Sequence, residues 1–315
     1  MSTLSATLSR RERVRQAIEE AFHAVPYPED ERFAQNPETS EGEEIEEAFK
    51  GHHWPNLPEE SVIKRTMIFL RPEARHFYMP AFLLAALGRL SQAPTMFDLY
   101  SLVPPDDATR FKKEYDTYSL AQREAIRLFL EYVRDEAARP DFKATAELAL
   151  ERYWGSMPGA MVTQARHEPV RQIIREAFAE VPYPGDNSIA YDPDDWECRD
   201  INLDFSGYHW RELPHAVLSY HDSALSFFSA KGMQFYLPAY LLAALESDGN
   251  VLDSVLYALQ PTEHHRKDYF ESPEAGFSPR QKRAIRAFLE YVRDEMAESG
   301  GEDAARQALD AYWGK

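Results

Sequence analysis

The chain has 315 residues, of which 44% are hydrophobic and 13% aromatic. A domain commonly has about 100–200 residues, so this length allows two domains, and the composition is rich enough for packed cores. The net charge is -18, from 53 acidic and 35 basic residues. Because binding to a phosphate backbone needs clustered basic side chains, this balance disfavours nucleic acid as a partner.

The single cysteine and the short apolar runs indicate the cellular setting. Cys198 stands alone, which excludes an intramolecular disulfide and a zinc site built from several thiolates. The longest apolar runs, 79–87 and 237–245, are about half as long as a membrane-spanning helix. The first residues also lack the apolar core of a secretory signal. We therefore expect a cytoplasmic protein that does not bind membranes.

The first predicted element is an amphipathic helix that a proline motif ends. Val14, Ile18 and Phe22 recur at helical spacing. Residues 25–28 read Val-Pro-Tyr-Pro, and this motif stops the helix because a residue that precedes proline disfavours the helical conformation. We expect a loop between this motif and the Gly-x-x-Trp motif at residues 51–54.

Two more helices are predicted further along the same half of the chain. The run 79–87 is apolar on nearly all sides, which predicts a buried central helix with Pro80 near its start or at a kink. Residues 119–122 form a capping box, in which Ser119 and Gln122 can each accept a free backbone N–H of the other residue. Apolar residues follow this box at helical spacing, and no segment alternates as a strand would. The prediction is an all-α fold.

The same order of motifs occurs a second time. The Val-Pro-Tyr-Pro motif returns at residues 181–184 and the Gly-x-x-Trp motif at residues 207–210, both 156 residues after the first occurrence. The capping box also returns, at residues 278–281. Solenoid repeats have only about 20–50 residues, so a period this long indicates a duplicated domain. We predict a tandem duplication of one helical domain. Packing of the two copies as a pseudo-twofold pair is one arrangement that the sequence leaves open. The predicted domains are residues 1–157 and 158–315.

The second copy resembles a bacterial domain family of unknown function. The resemblance is carried by Val-Pro-Tyr-Pro-Gly-Asp at 181–186, Gly-x-x-Trp-x-x-Leu at 207–213, Phe-Tyr-Leu-Pro-Ala-Tyr-Leu at 235–241 and Ala-Ile-Arg-Ala-Phe-Leu at 284–289. In the first copy, Glu29 replaces Gly185 of this pattern. If Gly185 serves a left-handed turn, the first loop must be built differently. The resemblance implies a recurring structural unit and no particular activity.

Acidic residues are concentrated between the Val-Pro-Tyr-Pro and Gly-x-x-Trp motifs of both copies. Two negative patches would attract a basic protein by Coulomb forces, although runs of charge also occur as plain solvated surface. The resulting hypothesis is a non-enzymatic interaction protein that binds a basic partner, as an immunity or inhibitor protein masks a toxin. The candidate partner-binding residues are Glu43, Glu44, Glu47, Asp194, Asp195, Glu197 and Asp200, with Trp54 and Trp210 as aromatic anchors.

Two other classes of function stay open. A hydrolase site in the second copy would use Asp186, Glu197, Asp200 and His209 for acid–base chemistry. A scaffold without catalytic activity is the other alternative. No phosphate-binding glycine loop or nucleophile elbow is found, and residues 192–203 lack the glycine and the final glutamate of an EF-hand. We therefore expect no cofactor and no metal ion, and the oligomeric state is not predicted.

Overall fold

The computed structural model describes residues 8–28, 32–63, 67–90, 99–155, 167–245, 249–262, 270–271, 276–296 and 300–314. Within these ranges the regular structure is helical, and the only β pairing consists of two isolated bridges, Ala34 with Leu70 and Ala190 with Phe228. The predicted all-α fold and its duplication are confirmed.

The chain divides into two compact units whose boundaries differ from those of the sequence repeat. The first unit comprises Met1–Pro104 and Ala108–Val162, and the second comprises Pro105–Asp107 and Thr163–Lys315. Three residues from within the first copy therefore belong to the second folded unit.

Seven α-helices are described in the first unit, and the last continues into a π-helical turn at Leu150–Trp154. They are α1 (Arg10–Phe22), α2 (Ser40–Phe49), α3 (Glu59–Ile63), α4 (Pro72–Arg89), α5 (Thr109–Tyr115), α6 (Leu120–Glu136) and α7 (Pro140–Ala149).

The described part of the second unit repeats most of this order, again with a closing π-helical turn at Leu309–Trp313. Its helices are α8 (Glu168–Ala177), α9 (Trp196–Phe205), α10 (His215–Tyr220), α11 (Ala230–Ala244), α12 (Gly249–Ala258), α13 (Pro279–Glu295) and α14 (Glu302–Ala308).

The predicted capping boxes begin α6 and α13. Ser119 Oγ accepts the N–H of Gln122 at 3.2 Å, and Gln122 Oε1 accepts the N–H of Ser119 at 2.9 Å. Ser278 and Gln281 make the same pair of bonds at 3.3 and 2.8 Å. Both predicted boxes are confirmed, and each satisfies two backbone donors that a helix start leaves free.

The central helix of each unit is buried along most of its length. In the first unit α1 packs on α4 and α6, and in the second α8 packs on α11 and α13. Pro80 lies inside α4 and Pro238 inside α11, both well past the first helical turn. The predicted buried helix is therefore confirmed, with its proline in the interior rather than at the start. None of the described helices combines the length and the apolar character that crossing a membrane requires.

The repeated motifs of the first unit meet at the end of α2. Gly51 follows that end with φ 73°, a left-handed conformation that a glycine adopts without a Cβ clash. Its N–H donates to the Tyr27 hydroxyl at 3.2 Å. The Tyr78 hydroxyl donates to the carbonyl oxygens of Phe49 and His52 at 3.2 and 2.6 Å. The backbone groups that the helix end leaves free are thus satisfied by side chains of the other motifs.

The end of α9 is built in the same way. Gly207 has φ 73° and donates its N–H to the Tyr183 hydroxyl at 3.3 Å. The Tyr236 hydroxyl donates to the carbonyl oxygens of Phe205 and Tyr208 at 2.9 and 3.1 Å. The repeated motifs therefore hold a helix end in both units, which gives a structural reason for their recurrence.

The glycine that distinguishes the two copies does adopt a left-handed turn. Gly185 has φ 90°, a conformation that residues with a Cβ rarely adopt. Its counterpart Glu29 lies outside the described residues.

Candidate functional site

The outer face of α2 is acidic. Thr39 begins this helix by accepting the N–H of Gly42 with its hydroxyl at 3.0 Å. Ile45 and Phe49 are one helical turn apart and fully buried, so they fix which side of the helix faces the core. The opposite side carries three exposed carboxylates, which we call the α2 face: Glu43, Glu44 and Glu47.

A fourth glutamate of α2 has a structural role. Glu46 Oε1 accepts the N–H groups of Phe33 and Ala34, both at 2.8 Å. The equivalent residue of the second unit is Asn202, whose Oδ1 accepts the N–H of Ala190 at 2.9 Å. This position binds the preceding loop to the helix in both units and is separate from the α2 face.

Asp195 starts α9 as Thr39 starts α2. Its Oδ1 accepts the N–H groups of Glu197 and Cys198, both at 3.0 Å. Asp192 accepts the N–H of Asp194 with Oδ1 at 3.0 Å, which closes the turn before the helix. Asp195 is thus engaged as a helix cap, whereas Asp194 is exposed. Glu197 is half-buried, and its Oε1 accepts from the Ser223 hydroxyl at 3.5 Å.

Two of the predicted partner-binding residues lie inside the second unit. Asp200 is 7% exposed and Trp210 is 1% exposed. Arg211 places its guanidinium carbon 4.8 Å from the centre of the Trp210 ring. Neither residue offers a surface to a partner, so both are left out of the proposed interface. In the first unit Trp54 is half-buried.

Two exposed aromatic residues of the second unit were missed by the sequence prediction. Tyr191 is 57% exposed and Trp196 is 62% exposed, on either side of the exposed carboxylates of Asp192 and Asp194. One signal was present in the sequence: Arg199 stands three residues after Trp196 and so on the same side of α9, and a charged residue there indicates an exposed side.

A buried hydrogen bond between Asp204 and His221 was also missed. Asp204 Oδ2 lies 3.0 Å from His221 Nε2, and the two residues are 4% and 8% exposed. The carbonyl oxygen of His221 accepts from the Tyr240 hydroxyl at 2.6 Å. In the first copy Ala48 replaces Asp204, so this contact belongs to the second unit alone.

The residues of the hydrolase alternative take part in local contacts. His209 Nδ1 accepts the N–H of Arg211 at 3.2 Å, and its ring packs edge-on against Phe235 with centroids 5.4 Å apart. Burial, and then the charge of Arg211, lower the pKa of His209. Asp186 accepts a hydrogen bond from the Tyr183 hydroxyl. These contacts fit a packed turn better than a general base in an open cleft.

The surroundings of Cys198 disfavour thiol chemistry. Cys198 is fully buried, and burial raises the pKa of its thiol, which works against a thiolate nucleophile. Within the described ranges, no three histidine, cysteine, aspartate or glutamate residues are arranged to hold a metal ion.

Comparison with known proteins places the chain in a family. The model of a family of unknown function, DUF6714, matches residues 10–157 and again residues 166–315. Neither the curated proteins nor the solved structures contain a match. Since the two matches cover nearly the whole chain, the protein belongs to the DUF6714 family of unknown function and carries two tandem copies of its domain.

Proposed function

We propose that this chain is a non-catalytic interaction protein of the cytoplasm that binds a basic protein partner, in the manner of an immunity or inhibitor protein. The observation that carries the proposal is the α2 face, where three exposed carboxylates share one side of a helix. Together with the net charge of -18, this face would attract and orient a partner rich in lysine or arginine.

One residue of the α2 face, Glu47, is unfavourable for the helix itself. Glu43 and Glu47 are four residues apart, where like charges destabilise a helix by about 0.2–0.5 kcal/mol. Glu47 also lies in the last turn of α2, and a negative charge there is unfavourable because it faces the negative end of the helix dipole. Glu43, by contrast, lies in the first turn of α2, where a negative charge is favourable. The unfavourable position of Glu47 is what supports a role outside the unit.

The test compares two variants of equal charge change. The first replaces the α2 face by Glu43→Gln, Glu44→Gln and Glu47→Gln. The control replaces three exposed acids elsewhere, by Glu151→Gln, Glu180→Gln and Asp253→Asn. The tagged protein is used to capture a partner from its native lysate at low salt, and the identified partner is then purified and titrated at several salt concentrations.

We expect the α2 variant to bind the purified partner about tenfold more weakly, which corresponds to about 1.4 kcal/mol. Its affinity should also depend less on salt, because fewer charge pairs form across the interface. The control variant should stay within about twofold of the wild type. The proposal would be contradicted if the two variants lost affinity equally, or if the affinity of the partner did not depend on salt concentration.

A further inference from the structure

The turn before α9 differs sharply from its counterpart in the first copy. Residues 191–197, which we call the aromatic turn, contain Tyr191 and Trp196, whereas Gln35 and Ser40 stand at the equivalent positions. Exposed apolar side chains that are grouped, rather than scattered singly, often mark a binding site. Because the same backbone turn exists in the first unit without them, these aromatic residues are not required to form it.

The aromatic turn is held in place by the rest of its unit. The Tyr191 N–H donates to the carbonyl oxygen of Phe227 at 3.0 Å, and the two rings lie parallel with centroids 6.3 Å apart. Asp195 caps α9 directly before Trp196. A surface that is ordered before binding loses less conformational entropy when a partner docks.

Carboxylates surround the exposed rings. Asp192 and Asp194 are exposed, and Glu197 is half-buried. The pKa of Tyr191 is raised, first by desolvation of its phenol, then by Cys198, and then by the carboxylates of Asp195, Asp192 and Glu197. Asp192 Oδ1 accepts the N–H of Asp194 at 3.0 Å, and the Asp192 carbonyl accepts the N–H of Asp195, which caps the helix that Trp196 begins. The exposed rings and carboxylates therefore belong to one compact turn.

We propose that the aromatic turn is a docking surface for an arginine-bearing segment of a protein partner. The guanidinium would stack on Trp196, and its N–H groups would donate to the carboxylates of Asp192 or Asp194. This inference rests on the proposed function, since it assumes a basic partner and names the side chain that the partner presents.

Arginine fits this surface better than lysine does. Its planar guanidinium can stack on an aromatic ring while it still donates hydrogen bonds in the ring plane, whereas an ammonium group is a compact and strongly hydrated charge. The same unit already contains such a contact, in which Arg211 lies 4.8 Å from the centre of the Trp210 ring. Tryptophan, tyrosine and arginine are also the residues that contribute most often to the binding energy of protein interfaces.

The experiment titrates the full-length protein against two fluorescent peptides of equal length and charge, one with arginine and one with lysine as the only basic residue. We expect the arginine peptide to bind about two- to fivefold more tightly. The variants Trp196→Ser and Tyr191→Gln introduce the residues of the first copy, which that unit accommodates in the same turn. Trp196→Ser should remove the preference for arginine, and Tyr191→Gln should weaken it.

Two controls separate this surface from others. Tyr257→Ser removes a tyrosine of the second unit that is 67% exposed, and it should leave the arginine preference unchanged. Asp192→Asn with Asp194→Asn should weaken the binding of both peptides, that of the arginine peptide at least as much as that of the lysine peptide, and reduce the effect of salt. Circular dichroism of each variant shows whether α9 and the other helices persist.

Three results would overturn the inference: no binding of the arginine peptide, an arginine preference that survives in Trp196→Ser, or an equal loss in Tyr257→Ser. Its failure is distinguishable from that of the proposed function, because the α2 variant keeps the aromatic turn intact. If the arginine preference is absent while the α2 variant loses its basic partner, the docking surface is wrong and the interaction role stands. If the α2 variant binds normally, the assignment of the α2 face fails on its own.

Discussion

Equivalent residues of the two copies lie in different environments. Glu44 is exposed in the first unit, whereas Asp200, which stands at the same position of the second, is buried. Ala48 is half-buried, and Asp204 at the same position is buried against His221. One side of α9 is therefore buried and polar, whereas the equivalent side of α2 is exposed or half-buried.

The buried contact of Asp204 with His221 makes a testable contribution to stability. Asp204→Ala introduces the residue of the first copy and removes the carboxylate that lies 3.0 Å from His221 Nε2. We expect the free energy of unfolding of the second unit to fall by about 2–3 kcal/mol, because a buried ring nitrogen loses its partner. Urea unfolding with amide hydrogen exchange of α9 measures this change.

The coupling between the two residues is checked by a double-mutant cycle. His221→Ala should cost a similar free energy, and the double variant Asp204→Ala, His221→Ala should cost clearly less than the sum of the two single variants. Additive losses would mean that the hydrogen bond contributes nothing beyond packing.

His76 makes the stability of the first unit depend on pH. Its ring stacks on Tyr118 with centroids 4.2 Å apart, and its Nε2 lies 3.1 Å from Gln122 Oε1. Desolvation lowers the pKa of His76 from 6.5, against the opposing effect of the Gln122 hydrogen bond. The unfolded chain therefore takes up this proton at a higher pH than the folded protein does. The free energy of unfolding should fall as the pH drops from 6.5 towards the lower folded pKa.

The variant His76→Gln should remove this part of the pH dependence. Glutamine stands at the equivalent position of the second copy, as Gln234, and it can still hydrogen-bond but does not titrate. Urea unfolding at a series of pH values compares this variant with His23→Gln, which replaces an exposed histidine. The inference fails if the two variants lose stability equally on acidification.

At the scale of helices, the outer side of α2 is open and the matching side of α9 is covered. Residues 215–226 of the second unit supply His221, which contacts Asp204, and Ser223, which contacts Glu197. The second copy is two residues longer than the first between its Gly-x-x-Trp motif and its β-bridge. Because residues 215–226 cover this side of α9, the exposed carboxylates of the second unit lie in the turn before the helix and not along the helix.

The end of α9 tests the role assigned to the repeated glycine. Gly207→Ala should lower the free energy of unfolding by about 1–2 kcal/mol, because φ 73° is unfavourable for a residue with a Cβ. The added methyl group would meet no atom within 4 Å, so the cost comes from the backbone alone. Gly88→Ala is the control: it lies in α4 with equally open surroundings, and alanine there should stabilise by up to about 1 kcal/mol. If urea unfolding shows that both variants change the free energy of unfolding in the same direction, this assignment is contradicted.

For the whole molecule, local signals predicted the elements, and contacts distant in sequence escaped prediction. The capping boxes at Ser119 and Ser278 and the repeated motifs were sufficient to predict helices and duplication. The contact of Asp204 with His221 joins residues 17 positions apart, and no pattern along one helix encodes it. The burial of Asp200 depends in the same way on its tertiary surroundings. Charge alone therefore predicts an acidic surface, but it does not predict which acidic side chains are exposed there.

The second unit depends on a residue that the repeat assigns to the first copy. Asp106 lies 3.0 Å from the buried guanidinium of Arg171 and 2.5 Å from the half-buried guanidinium of Arg175. Asp106→Asn removes this charge and leaves Glu168 as the nearby carboxylate, so we expect the second unit to lose about 2–3 kcal/mol. Amide hydrogen exchange of α8 in the full-length chain measures the loss. The exposed pair of Asp303 with Arg306 gives the control, because Asp303→Asn should cost less than about 1 kcal/mol. If Asp106→Asn costs no more than this control, then residues 105–107 are dispensable and the folded unit follows the boundary of the sequence repeat.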